Sequence, residues 1–170
     1  MSEQIRDAIS GACDFLAANP SKARYTDSPV TARLVDDLRC EVETPSGLLT
    51  TDMPSAVGGG AAAPTPGWMM RAALASCDAT LISMRAAQQG IKLVDLEVTV
   101  DSESDDRGLL GVDEDVPAGP LSTRVRVKVN APGASEAELR ELVEWADKHS
   151  PVGDAIRRAV PNTIELDTTS

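Results

Sequence analysis

The chain has 170 residues, with 27 Asp and Glu against 16 Lys and Arg, one His and three Cys. A net charge of −11 and a pI near 4.5 disfavour a broad electrostatic grip on nucleic acid or an anionic membrane. A single His excludes multi-His metal sites and the cysteines at 13, 40 and 77 lack Cys-x-x-Cys spacing, so no metal or cofactor is expected and a reactive thiol is the chemistry left.

The start, MSEQIRDAIS, carries Glu3, Arg6 and Asp7 where a secretory signal needs an apolar run. The most apolar stretch, 68–84, is broken by Arg71 and Asp78 and suits a membrane span poorly. A reducing cytoplasm is the expected location, and there free thiols outnumber structural disulfides. Residues 3–18 read as a helix, with Ile5, Ala8, Ile9, Ala12, Phe15 and Leu16 at helical spacing and Asn19-Pro20 as its stop. Residues 30–43 look extended. Leu38, Cys40 and Val42 alternate with Arg39, Glu41 and Glu43, the period of a half-buried strand. Pro45-Ser46-Gly47 marks a turn, and 48–53 is the expected return strand.

Gly58 to Gly60 open a flexible entry to a long helix over 66–89. Thr65 can cap it, Pro66 suits its first position, and Gly90 can close it. Its many small residues (Ala72, Ala75, Ser76, Ala79, Ala86) mark it as central and closely packed. Residues 93–101 and 121–130 alternate with opposite charge. Pairing them antiparallel sets Arg124, Arg126 and Lys128 beside Asp95, Glu97 and Thr99 on the wet face. The acidic connector 102–120 between them is a candidate lid or partner site. Ser135 with Glu138 forms a capping box before a helix over 136–148. Ser150-Pro151 begins another helix reaching about Val160, and 163–167 is the expected final strand. Strands and helices segregate instead of alternating regularly, so the fold class is α+β with antiparallel sheets.

The segment Ala61 to Cys77, AAAPTPGWMMRAALASC, resembles the OsmC/Ohr family of thiol-dependent hydroperoxide reductases. Gly90-Ile91-Lys92-Leu93 before LEVTV, Asp106-Arg107-Gly108, and His149-Ser150-Pro151-Val152 continue the match in order. The resemblance runs from residue 31 to the C-terminus, which leaves 1–30 as an N-terminal helical extension and 31–170 as the OsmC-like domain. It implies sheets wrapped around long central helices in an intertwined homodimer, with active sites at the subunit interface. It also implies a first Cys that attacks an organic hydroperoxide, a second Cys that resolves the sulfenic acid, an assisting Arg and Glu, and an external dithiol as reductant.

Carried over residue by residue, Cys77 matches the first Cys. The second Cys falls on Ser150, so Ser150 is expected to cap a helix and not to be catalytic. The family's Asn-Pro-Glu reads here as Thr65-Pro66-Gly67, without the Glu. Arg39 is the nearest match to the assisting Arg, with Arg33 as the alternative register. Asp78 would disfavour a thiolate if its carboxylate lay close. Cys40 reads as strand packing, Cys13 as shielding its helix's contact, and His149 as a surface residue. Trp68, Met69 and Met70 read as pocket lining or plain core. Two functions follow: a single-Cys thiol peroxidase for organic hydroperoxides, or a non-catalytic protein holding a small apolar or acyl ligand at the dimer interface.

Overall fold

Alternation and helix punctuation place most elements where the sequence puts them. The computed structural model describes residues 2–168. Helix α1 covers Ser2–Ala18. Strands β1 (Ala32–Asp36), β2 (Arg39–Thr44) and β3 (Gly47–Thr51) form an antiparallel sheet in that order. The extended stretch 30–43 is therefore two strands, not one. Asp36 pairs with Arg39 across a tight turn in which Asp37 takes a φ of +41°. Asp is among the few residues that visit this region without great cost, because its short side chain can bond locally. Leu38 sits in that turn and not on the strand face.

Helix α2 runs Pro66–Gln88 and is the axis of the fold. Thr65 Oγ1 accepts the Trp68 N–H at 3.1 Å, the cap expected from the sequence. At the other end Gly90 takes a φ of +70°, and the Ile91 N–H reaches back to the Ala86 carbonyl at 2.8 Å. Strands β4 (Asp95–Glu103) and β5 (Ser122–Asn130) form a separate antiparallel ribbon. Its register sets Glu97 opposite Lys128 and Asp101 opposite Arg124. Lys128 pairs with Glu97 at 2.9 Å, and Arg124 and Arg126 both reach Asp101. The connector between the strands holds one short helix, α3 (Asp106–Leu109). Helices α4 (Glu136–His149) and α5 (Pro151–Arg157) close the chain, and α4 starts on the expected Ser135–Glu138 capping box.

The core lies between α2, α4 and the ribbon. Ile82, Ala86, Leu142 and Ala146 are buried together, with Leu96, Val98, Val127 and Val143 packed against them. Helix α1 lies on α2. Cys13 on α1 is exposed, so it does not shield that contact. The β1–β3 sheet is different, because its main contacts are among its own strands. One face carries Ala32, Leu34, Cys40, Val42 and Leu49, as the register requires. Leu34 on that face is 67% exposed. The opposite face carries Arg33, Glu41 and Glu43.

Helix α5 ends at Arg157, short of Val160. No strand forms over 163–167, where Ile164 and Leu166 are 89% and 83% exposed. The alternation there fits a strand, but a strand also needs a partner's backbone, and this chain offers none alongside.

Candidate active site

Cys77 lies about three turns into α2, and Asp78 follows it on the next position of the helix. Consecutive helical residues point about 100° apart, so the two side chains take different directions. Cys77 is half-buried and reduced. Asp78 is buried, at 4% exposure, on a helix otherwise lined by Ala, Leu and Ile.

The residue that meets Cys77 comes from the junction of α4 and α5. Ser150 ends one helix and caps the next, accepting the Gly153 N–H at 3.1 Å. The helix start thus forms as the Ser-Pro sequence requires. The same hydroxyl donates to Cys77 Sγ at 3.3 Å. Ser150 is fully buried, at 0% exposure. The two positions that the resemblance pairs as first and second Cys are therefore in direct contact, although 73 residues separate them.

Close packing at α5 makes this approach possible. A Cβ on Gly153 would lie 3.1 Å from Ser150 Cβ and 3.1 Å from Arg157 Nη1. Arg157 is anchored to Asp147 through both its side-chain oxygen at 2.8 Å and its backbone carbonyl at 2.6 Å. Burial pushes the Asp78 carboxyl above the usual carboxylate range. The Ser150 hydroxyl opposes that shift, Asp147 adds to it, and Arg157 opposes it, in falling order of effect. Asp78 Oδ1 has no hydrogen-bond partner. Its carboxyl faces a cavity of about 220 Å³, also lined by Ile82, Val125, Val127, Val143, Ala146 and Asp147.

Arg39 lies elsewhere in this chain. It begins β2, pairs with Asp36 at 3.9 Å, and leaves its Nε buried without a partner. Arg33 is on β1 beside Glu43 at 3.6 Å. The cation that acts on Asp78, the residue after Cys77, is Arg157. His149 turns outward, stacked on Trp145 at 4.2 Å.

A cavity of about 540 Å³ lies at the start of α2 under the 102–120 connector. Met53, Val57, Met70, Leu109 and Leu110 give it apolar walls, and Arg71 and Asp105 stand at its edge. Gly67, where the resemblance leads one to expect a Glu, lines it, while Cys77 does not. Met70 thus lines a pocket, but Trp68 is exposed. Asp52 braces the loop that leads into this helix. Buried itself, it accepts the N–H groups of Met53 at 2.7 Å, Gly60 at 3.3 Å and Ala62 at 3.0 Å. Those bonds, the Ala62 one foremost, hold its carboxyl below the usual range. Among the described residues no group of three or more His, Cys, Asp and Glu is placed to hold a metal ion.

A long central helix bearing a cysteine, met by the capped start of a C-terminal helix and flanked by antiparallel strands, defines an OsmC/Ohr-type protein. The family model described as OsmC-like protein matches residues 58–165, and the chain belongs to that family. Among solved structures, an OsmC-like protein from Mycoplasma pneumoniae superposes with a TM-score of 0.67 at 18% identity, over 79% of this chain and 89% of that one. The organic hydroperoxide resistance protein OsmC from Legionella pneumophila is 25% identical with a TM-score of 0.56, over 78% and 92%. The organic hydroperoxide resistance protein OhrB of Bacillus subtilis is 24% identical with a TM-score of 0.52, over 78% and 91%. No curated protein matches the sequence. The chain is thus related to organic hydroperoxide resistance proteins. No helix in the described residues is long and apolar enough to cross a membrane.

Proposed function

We propose that this protein is a thiol peroxidase of oxidative-stress defence that reduces organic hydroperoxides through Cys77. The observation carrying this reading is the Cys77–Ser150 contact, which joins the two positions at which the family's chemistry takes place. A thiolate at Cys77 attacks the distal peroxide oxygen, the O–O bond breaks, and the alcohol leaves with a proton. Cys77 is left as a sulfenic acid. Ser150 has no sulfur with which to resolve it, so an external thiol condenses with the sulfenic acid, releasing water. A second thiol equivalent then exchanges with the mixed disulfide and restores Cys77.

The working form is an intertwined homodimer. The apolar face of β1–β3 lacks a cover from its own chain, and Ile164 and Leu166 are bare beyond α5. A second copy that covers both would also bring in its own β1–β3 sheet, and with it a partner arginine as thiolate stabiliser. Arg39 holds that role, with Arg33 as the alternative register. Residues 1–30 form the extension and 31–170 the family domain. The protein works in the cytoplasm, where thiol reductants are plentiful.

The test offers cumene hydroperoxide with a dithiol to the purified protein and traps sulfenic acid at Cys77. Peroxide consumption that disappears in Cys77→Ser is the expected result, and no consumption with no adduct sinks the proposal.

The cavity of about 540 Å³ supports a second reading, a non-catalytic holder of a small apolar or acyl ligand. Pockets of this size and apolar lining suit such ligands, and Gly67 contributes space where a Glu would contribute charge. Native mass spectrometry of freshly purified protein, showing a retained ligand with Cys77 inert to peroxide, favours this reading over the first.

A further inference from the structure

Neither reading of the function uses the arginine in the wall of the cavity of about 540 Å³. Arg71, on α2, lines that cavity half-buried. Its Nη1 donates to Ser102 Oγ at 3.2 Å, which ties the guanidinium to β4. A guanidinium has five N–H donors, and the others on Arg71 find no protein partner among the described residues. The chain carries a net charge of −11, yet no described carboxylate comes within ion-pair distance of Arg71.

The reason lies four residues earlier. Positions 67 and 71 share a face of α2, and a Glu four residues before an Arg pairs with it along a helix. The resemblance leads one to expect a Glu at 67, and this chain has Gly there. A Cβ built on Gly67 meets nothing nearer than Thr65 Oγ1 at 3.9 Å, so the missing side chain leaves open space beside Arg71. Two acids also line the cavity, and neither takes the place of that Glu. Asp105 is engaged by Arg107, through Nη2 at 2.6 Å, Nε at 3.1 Å and the backbone N–H at 3.0 Å. Asp106 opens α3 and is exposed to solvent.

We propose that this cavity binds a medium-chain carboxylic acid as its anion, with Arg71 as the residue that selects the charged head. The carboxylate takes the open N–H groups of Arg71, a pairing that the fork of a guanidinium suits. Ser102 holds the fork in place from the strand side. The acyl chain lies against Met53, Val57, Met70, Leu109 and Leu110. Leu109 and Leu110 are 54% and 57% exposed without it, and covering them adds apolar burial to the ion pair. This inference rests on the second reading above, that the cavity holds an acyl ligand, and needs no chemistry at Cys77.

The test titrates octanoate and octanamide into the full-length protein at neutral pH by calorimetry. The two share a chain and differ in the charge of the head. Octanoate is expected to bind about tenfold or more tightly than octanamide, the worth of a hydrogen bond to a charged group. Arg71→Gln should bring the acid down to the amide. Gly67→Glu guards against a variant that fails to fold, because it puts a better helix former into α2. Its carboxylate should occupy Arg71 and reduce the preference for octanoate, while Gly67→Gln, of the same size, should keep it. Methyl spectra of the methionines locate the site: Met53 and Met70 resonances should move with octanoate while that of Met84, elsewhere on α2, stays.

Equal affinity for acid and amide, or a preference that survives Arg71→Gln or Gly67→Glu, would overturn the role of Arg71 and leave the cavity as an apolar ligand site. Binding of neither probe, or shifts that spare Met53 and Met70, would sink both the inference and the ligand-holding reading.

Discussion

Ser150, the position that the resemblance pairs with Cys77, meets its sulfur but carries no sulfur of its own. Ser150 retains a helix cap, the Gly153 N–H bond, and contact with Cys77 Sγ at 3.3 Å. Ser150→Cys is therefore expected to give a pair that oxidises. Peroxide treatment followed by non-reducing peptide mapping should recover a cross-link between Cys77 and the introduced thiol, and its absence would show that the two positions do not meet. The substitution loses the cap, at a cost of about 1 kcal/mol, so a melting temperature measured alongside separates weakened folding from failed oxidation. Cys13, exposed on α1, and Cys40, on β2, make no comparable contact with Cys77.

The loop entering α2 depends on close backbone approach. Asp52 gathers three N–H groups from it, and the Gly59 N–H reaches the Pro54 carbonyl at 3.1 Å. A Cβ at Gly59 would run into the Met53 carbonyl group. Gly59→Ala should destabilise the protein by about 1–3 kcal/mol, the usual range for overpacking. A thermal melt reads this as about 2–4 °C per kcal/mol for a chain of this size. Gly11→Ala is the contrast. It lies inside α1 with nothing within 4 Å of the added carbon. That change should stabilise by about 0.5–1 kcal/mol, because Ala is the better helix former. Equal effects at the two positions would refute the clash at Gly59.

The whole molecule has one well-formed core and one sheet without a cover. The core packs α2, α4 and the ribbon, while β1–β3, which carries Ala32, Leu34, Val42 and Leu49 on one face, makes its main contacts among its own strands. Apolar faces of that kind mark an interface. Light scattering should give twice the mass of the 17.9 kDa chain. Leu34→Asp with Leu49→Asp, which puts two charges on the face, should shift the protein towards monomer and lower any Cys77 peroxidase activity with it. A wild type that is monomeric at every concentration, or a double variant that still dimerises, would count against the shared site.

The sequence by itself determined the longer helices, their caps and the charged ribbon. These rest on local periods and on neighbours three or four residues apart, such as Thr65 with Trp68 and Ser135 with Glu138. It also carried the family resemblance and singled out Cys77. It did not separate β1 from β2, because the turn hangs on one Asp in a left-handed conformation that the alternation hides. It overextended at 163–167, because a strand needs a partner that periodicity cannot supply. Only the tertiary structure decided what faces Cys77. The three cysteines and one histidine left a thiol as the available chemistry. Contact across 73 residues, burial of Asp78 and the approach of Arg157 arise from helices packing on one another. They set the surroundings of Cys77 and Asp78, and no local pattern records them.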